Sequence, residues 1–232
     1  MKSSRQKSNS LRYLIIFLII ILSSTFAGIY YFLSKPSREV ESKLPVYEPY
    51  DVSAELVDST IQHVKKYHTI ADFKLINQNG DTITEKDYDG KIYVADFFFT
   101  TCPSICPIMT ANMADLQTML KDDEHVKLLS HSVTPAIDSV PQLKKYALEK
   151  GVDDSKWNLV TGDKKQIYDL ARKSYLAVKT DGDGGAYDMI HTENFILVDT
   201  QKRIRGFYDG TKEEDIEKLF NDIKSLEKEE GL

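Results

Sequence analysis

The feature that most constrains this sequence is an apolar run that leads directly into its only two cysteines. Residues 92–99 are apolar enough to predict a strand buried on both faces of a sheet. The motif Thr101-Cys102-Pro103-Ser104-Ile105-Cys106-Pro107 follows, and apolar residues then recur at helical spacing as far as Leu120. The pattern predicts a strand, a tight turn and a helix, with both sulfur atoms at the start of the helix.

This placement has chemical consequences for the cysteine pair. Unpaired N–H groups and the helix dipole favour thiolate over thiol at a helix N-terminus. Residues i and i+4 share one helix face, so Cys102 and Cys106 can point at the same ion, and two soft thiolates suit Cu(I). A disulfide at this spacing is near the upper limit of Cα separation and is easily reduced, which favours a working thiol pair over a structural crosslink.

Residues 13–33 are almost wholly apolar, and as a helix they span roughly 30 Å, the thickness of a bilayer core. The preceding residues 1–12 contain basic but no acidic side chains, which predicts a cytoplasmic N-terminus and a single-pass anchor. The functional domain is then on the exported side, periplasmic or extracytoplasmic. A cleavable signal peptide ending near Thr25-Phe26-Ala27 is the alternative, although the apolar run continues to Leu33.

The rest of the chain divides into a tether and one domain. Residues 34–67 contain three prolines and many charges, as is typical of a tether, and residues 68–232 are long enough for a single core. The formal net charge is −6, and the first 38 residues contain no acidic side chain, so the exported part is more acidic still. Nucleic acid is therefore not expected as a partner.

Within residues 68–232 the pattern predicts alternating strands and helices. Asn79-Gly80 indicates a hairpin, and a second hairpin is expected about residues 200–202, before a closing amphipathic helix. The expected further elements are a strand at 126–133 and helices at 104–120, 142–150, 164–174 and 213–226. This layout predicts an α/β fold of the thioredoxin kind, with helices flanking a central sheet.

The chain resembles the SCO/SenC family of membrane-anchored copper proteins that assemble cytochrome c oxidase. The similarity lies in the cysteine motif, in Met189-Ile190-His191-Thr192, and in Ser132-Val133-Thr134-Pro135-Ala136-Ile137-Asp138. It implies a thioredoxin-like fold in its peroxiredoxin-like variant, and copper, as Cu(I) or Cu(II), bound by Cys102, Cys106 and His191. It also implies a copper-receiving oxidase subunit as partner, with other copper chaperones or thiol reductants as further partners.

The chain departs from the family pattern at three positions. Ser104 stands between the cysteines where many members carry Asp, Thr134 replaces the first Asp of its segment, and Ile190 precedes the histidine where others have Asp. These departures concern the surroundings of the site and the choice of partner. They leave the three implied ligands in place.

Several alternatives remain open at this stage. The cysteine pair can instead serve a thiol-disulfide oxidoreductase, although no proline after Pro141 is present to face it, and no other enzyme activity is expected. His131 is the rival to His191 as a ligand, and Asp138 either orients the site or caps a helix. Met109 and Met113 have the spacing of core residues. Residues 181–185 resemble the start of a calcium loop, but the twelfth position of such a loop is Thr192 and not an acidic residue. The remaining histidines are expected to be solvated: His63, His68 and His125.

Overall fold

The computed structural model describes residues 17–31, 43–178, 189–190 and 192–232. The chain divides into two compact units, Met1–Ser42 and Lys43–Leu232. In the first unit, residues 17–31 form helix α1, which is the described part of the expected anchor at 13–33. None of the helices in the described ranges combines the length and the apolar character that a membrane crossing needs.

The second unit is built on one mixed sheet of seven described strands. The strands are β1 (Lys74–Asn77), β2 (Thr82–Thr84), β3 (Ile92–Phe98), β4 (Val126–Ser132), β5 (Trp157–Thr161), β6 (Asn194–Val198) and β7 (Ile204–Asp209). They lie in the order β2-β1-β5-β4-β3-β6-β7; β3, β4 and β5 are parallel, and the outer strands pair antiparallel. The helices are α2 (Ile105–Met119), α3 (Val140–Lys150), α4 (Lys164–Asp169) and α5 (Glu213–Glu230), and α4 continues into a π-helical turn at Leu170–Ser174.

Every residue of β3 is buried, because the sheet has a hydrophobic core on each face. One core contains Tyr93, Ala95 and Phe97 together with side chains from α4 and the π-helical turn, and we call it the tyrosine-side core. The other contains Ile92, Val94 and Phe98 with the apolar faces of α2, α3 and α5, and we call it the thiol-side core because both cysteines belong to it. Alternation along the strand therefore decides which core each side chain enters.

The α/β sheet flanked by helices agrees with the expectation from the sequence. The hairpin about Asn79-Gly80 is confirmed, with Gly80 at φ +86°, a conformation that glycine adopts without strain. Met109 and Met113 are fully buried core residues, as their spacing indicated. One element escaped the sequence analysis: β5 lies between β1 and β4, and its Trp157 is a buried member of the thiol-side core.

Residues 43–67, which the sequence analysis places in a tether, lie in the same compact unit as the sheet. Tyr47 forms an isolated bridge with Ile204, and Val57 is fully buried in the tyrosine-side core. Arg205, only 1% exposed, donates to the carbonyl oxygens of Leu44 (2.7 Å) and Pro45 (3.0 Å). This part of the chain is bound to the domain because its carbonyl oxygens accept hydrogen bonds from Arg205 and its apolar side chains pack in the core.

Arg205 also neutralises buried acids at this sheet edge. Its guanidinium contacts Asp199 at 3.2 Å and Glu229 at 2.8 Å, and the Asp199 side chain is fully buried. Removing one partner of a buried ion pair leaves an uncompensated charge, which is more costly than the pair itself is stabilising.

We expect Arg205→Ala to lower the free energy of unfolding by about 3 to 5 kcal/mol, because Glu229 loses its guanidinium, Asp199 loses one of its two, and the carbonyl groups of Leu44 and Pro45 lose their donor. Urea denaturation of the purified chain measures this. Arg203→Ala is the matched control, since Arg203 pairs with the same Asp199 at 2.7 Å from a partly exposed position and is expected to cost about 1 kcal/mol or less. Equal losses in the two variants would contradict the prediction.

Candidate metal centre

The two cysteines lie in the connection from β3 to α2 and in the first turn of the helix. Helix α2 begins at Ile105, so Cys106 is helical and Cys102 lies in the turn before it. The expectation that both residues share a helix face is wrong in this detail. Pro103 explains the difference, because the residue before a proline is disfavoured in the helical conformation. The two thiols are nevertheless neighbours, since each is close enough to act on the pKa of the other.

Both thiols are recessed: Cys102 is 8% exposed and Cys106 is 3% exposed. The Cys102 N–H group donates to the Phe99 carbonyl at 3.3 Å, which closes the turn. The Cys102 sulfur lies 3.6 Å from the Ser104 hydroxyl oxygen, and the backbone N–H groups of Ser104 and Cys106 lower the pKa of this thiol. The start of α2 therefore supplies donors that stabilise a negative charge on Cys102.

The two thiols differ in acidity. Burial opposes ionisation of Cys102, but the N–H donors of Ser104 and Cys106 outweigh it and lower the pKa of this thiol to about 7. Burial raises the pKa of the Cys106 thiol to about 12, and the nearby Cys102 and Asp96 act in the same direction. The metal-free pair thus has one reactive thiolate and one protonated thiol near neutral pH. The sequence analysis expected thiolate at both positions, and for Cys106 burial is the stronger effect.

His191, the expected third ligand, lies outside the described residues. Its neighbours Ile190 and Thr192 are both buried, and Ile190 packs in the tyrosine-side core. The Thr192 hydroxyl donates to the Ala177 carbonyl at 2.8 Å. Within the described ranges, no three His, Cys, Asp or Glu side chains are grouped closely enough to hold a metal ion.

His131, the rival ligand, is fully buried on the opposite face of the sheet from the thiols. Its ring stacks on Phe97 at 4.8 Å between centroids and meets Phe73 and Tyr175 edge-on, and all three belong to the tyrosine-side core. Burial lowers the pKa of His131 to about 4. Its orientation separates it from Cys102 and Cys106 by the thickness of the sheet. The sequence analysis expected His63, His68 and His125 to be solvated. His63 and His125 are exposed, whereas His68 is half-buried and contacts the Ser174 carbonyl at 2.7 Å.

Asp96 is a site residue that the sequence analysis did not single out. It occupies β3 on the thiol side, is 3% exposed, and hydrogen-bonds Ser130, with which it is paired in register. Its Oδ1 atom has no hydrogen-bond partner among the described residues. Burial raises the pKa of Asp96 to about 7. The available signal was one carboxylate inside an otherwise apolar strand six residues before the first cysteine.

Two described segments, the cysteine turn with the start of α2 and the β4–α3 loop, expose no charged side chain. Residues 97–114 contain no Asp, Glu, Lys, Arg or His, although such side chains are frequent elsewhere in the chain. In residues 132–143 the one charged side chain is Asp138, and it is buried. The exposed members of these two segments form what we call the uncharged rim: Thr101, Pro103, Ser104, Pro107, Ile108, Ala111, Ala136, Ile137, Ser139 and Pro141. Such a surface is suited to contact with another protein.

Comparison with known proteins identifies the family of this chain. The SCO1/SenC family model matches residues 61–228, which include both cysteines and the segment at Ser132–Asp138. The chain belongs to the SCO1/SenC family. The SCO1 protein homolog of Bacillus subtilis (strain 168) is 33% identical over 160 residues, covering 68% of this chain and 82% of that relative.

Two solved structures of SCO proteins extend the comparison. BsSco, described as a member of the Sco family of cytochrome c oxidase assembly proteins with a disulfide switch, is 32% identical with a TM-score of 0.60, covering 69% of this chain and 94% of its own. Bradyrhizobium japonicum ScoI with copper bound is 27% identical with a TM-score of 0.54, covering 69% and 99%. Two adjacent thiols are soft donors of the kind that suit copper.

Asp96 gives a prediction for the dependence of stability on pH. Its pKa is about 7 in the folded chain and 3.8 without burial, so only the unfolded chain ionises fully between these values. Stability is therefore lost as the pH rises from about 4 to about 7. We expect Asp96→Asn to remove this loss, with a gain over the wild type that grows with pH to at most roughly 4 kcal/mol.

Urea denaturation of both proteins at pH 5 and pH 8 measures the difference. His131 makes an opposite contribution, because its lowered pKa costs stability as the pH falls below about 6.5. That contribution is common to the two proteins and cancels in the comparison. A difference between the variants that does not change with pH would refute the assignment of a raised pKa to Asp96.

Proposed function

We propose that this SCO protein is a copper-binding assembly factor that delivers copper to a respiratory cytochrome c oxidase or matures the copper site of that enzyme. The observation that carries the proposal is the pair of adjacent, recessed thiols at the start of α2. Membership of a family with copper-bound and oxidase-assembly members supports it. The copper is cargo, so the recipient is the copper-receiving subunit of the oxidase.

The ligand set of the proposal is Cys102, Cys106 and His191. Two thiolates carry two negative charges, Cu(I) cancels one, and a neutral imidazole adds a donor without adding charge. The N–H groups of Ser104 and Cys106 stabilise the remaining charge on Cys102. A site with three donors leaves one side of the ion open, which an incoming ligand from the recipient needs.

The uncharged rim suits the delivery step. In this proposal the recipient covers Ile108 and its neighbours, and an uncharged surface can be covered without removing a charge from water. The recipient's own ligands then reach copper from the open side while the SCO thiols still hold it.

The proposal places the domain on the exported side of a membrane. It rests on the apolar residues 13–33 and on the basic residues that precede them in the sequence. In this arrangement the protein is a single-pass membrane protein with residues 1–12 in the cytoplasm, and copper chaperones or thiol reductants of the exported compartment are its further partners.

Copper titration of the reduced full-length chain against a competing chelator tests the ligand set. We expect Cys102→Ser and Cys106→Ser each to reduce Cu(I) affinity by at least about a hundredfold, since one thiolate is lost from a soft-metal site. His191→Ala is expected to weaken Cu(II) more than Cu(I), because two thiolates alone can hold Cu(I). The matched control is His125→Ala, an exposed histidine, which is expected to leave both affinities unchanged. Wild-type Cu(I) affinity in either cysteine variant would contradict the copper proposal.

The delivery step is tested separately from binding. Ile108, 49% exposed, lies two residues after Cys106, and Met119, 45% exposed, lies at the other end of the same helix about 16 Å along its axis. We expect Ile108→Glu to bind copper normally but to slow transfer to the recipient subunit on the order of tenfold, because a charge is buried at the contact. Met119→Glu is expected to transfer at the wild-type rate. Equal rates in the two variants would show that the rim is not the contact.

A second function, thiol-disulfide exchange, is favoured by the unequal acidity of the thiols. In that reaction the Cys102 thiolate attacks a partner disulfide and forms a mixed disulfide, releasing one partner sulfur as thiolate. The Cys106 sulfur then attacks Cys102, loses its proton and releases the second partner thiol, so two electrons pass to the partner and a Cys102–Cys106 disulfide remains. Each further cycle requires an external thiol reductant.

The two functions are separated by a measurement without metal. The reduced, copper-free chain is mixed with the oxidised recipient, and the recipient's free thiols are counted. Formation of recipient thiols that Cys106→Ser abolishes would establish the exchange reaction. Failure with a recipient that accepts copper from the same preparation would leave delivery as the function.

A further inference from the structure

Asp138 lies in the connection from β4 to α3 and is completely buried. Four donors converge on its carboxylate. The Thr100 N–H group donates to Oδ2 at 3.2 Å and the Thr100 hydroxyl to Oδ1 at 2.6 Å. The Ser132 and Thr134 hydroxyl groups donate to Oδ2 at 2.6 Å and 3.0 Å. All four donors are uncharged, so the hydrogen bonds themselves must compensate the burial of this group.

The geometry excludes the simpler role of a helix cap. Helix α3 begins at Val140, its N-cap residue is Ser139, and no side chain caps it. The one backbone N–H group that the Asp138 carboxylate binds belongs to Thr100, in a different loop 38 residues earlier in the chain. Asp138 therefore fastens the β3–α2 loop to the β4–α3 loop.

Thr100 is the point at which this connection reaches the metal centre. It follows β3 and precedes Cys102 by two residues, and the carboxylate binds both its N–H group and its hydroxyl. Gln142 of α3 donates to the same hydroxyl oxygen at 3.0 Å. The incoming side of the cysteine turn is thus held from β4 and α3, while its outgoing side is held by the start of α2.

We propose that Asp138 is a positioning residue for the thiol pair, which fixes the Cys102 turn so that both sulfur atoms face one copper ion. The inference rests on the proposed function, since it assumes that copper is what the thiols hold. Asp138 itself does not touch the metal in this arrangement. It acts through Thr100, and its loss releases Cys102 from its place beside Cys106.

Thr134 extends the same network. The family resemblance places an Asp at this position, but here the Thr134 hydroxyl donates to Asp138. A second carboxylate at this distance would be one more acceptor facing the first, where the network needs a donor. With threonine, the chain supplies one more donor, and the carboxylate remains the only charged group of the network.

The test compares Asp138→Asn with Asn77→Ala in the reduced full-length chain. Asparagine keeps the shape but places an amide donor against the Thr100 hydroxyl, which Gln142 already contacts. Asn77 is the matched control: it is a buried polar residue at the end of β1, 4% exposed, and accepts from the N–H groups of Asn79 and Asp81, away from the cysteines. Urea denaturation establishes that the variants fold and how much stability each has lost.

We expect Asp138→Asn to lower Cu(I) affinity about ten- to a hundredfold and to shift the Cu(II)–thiolate charge-transfer band, as is typical when a group behind a metal ligand is lost. In the metal-free chain, the ratio of Cys102 to Cys106 alkylation is expected to change by about threefold or more, since the turn sets the access of each thiol. Asn77→Ala is expected to keep the wild-type band, affinity and alkylation ratio at a similar loss of stability.

Wild-type affinity, band and alkylation ratio in Asp138→Asn would overturn the proposal, and so would equal changes in Asn77→Ala. If Asp138→Asn does not fold, Thr100→Val replaces it, because this variant removes the hydroxyl link and keeps the carboxylate, and the same outcomes apply. A wild-type chain that binds no copper would end the proposed function instead. The alkylation ratio would then still decide whether Asp138 positions the cysteine turn.

Discussion

The parallel pairing of β3 with β4 is the interaction on which the rest of the molecule depends. The two strands stay in register over seven residues, from Ile92 opposite Val126 to Phe98 opposite Ser132. The Val133 N–H group continues the ladder by donating to the Phe98 carbonyl at 2.9 Å. Two loops therefore leave the sheet side by side, one with the cysteines and one with Asp138. Without this register, the carboxylate and the cysteine turn would not meet.

Much of this architecture could be predicted from local patterns. The apolar run of β3, the Asn79-Gly80 hairpin and the helical spacing of α2 each identify an element without knowledge of its neighbours. Strand β5 was missed because five residues bounded by charged loops give a weak signal. Its place becomes evident only through pairing with β1 and β4, which are distant in sequence. The conformation of Cys102 was also predicted wrongly, because Pro103 delays the start of the helix until Ile105.

The orientation of buried polar groups was beyond the reach of the sequence. In a strand buried on both faces, apolar residues at every position leave no alternation from which to assign a face. The register shows Asp96 opposite Ser130 on the thiol side, and Phe97 opposite His131 on the tyrosine side. Each strand thus carries a fully or nearly fully buried ionisable side chain, Asp96 in β3 and His131 in β4, and the two face opposite cores. His131 is therefore separated from the cysteines by the sheet, although its strand is the direct neighbour of β3.

The hydrogen bonds from Arg205 to the carbonyl oxygens of Leu44 and Pro45 determine where the polypeptide joins the domain. Strand β6 runs opposite to β3, with Val198 beside Tyr93, and β7 returns from that end with Ile204. The thiols follow the far end of β3, seven residues or roughly 20 Å away. Within residues 43–232, the chain therefore enters at one end of the sheet and carries its sulfur atoms at the other end.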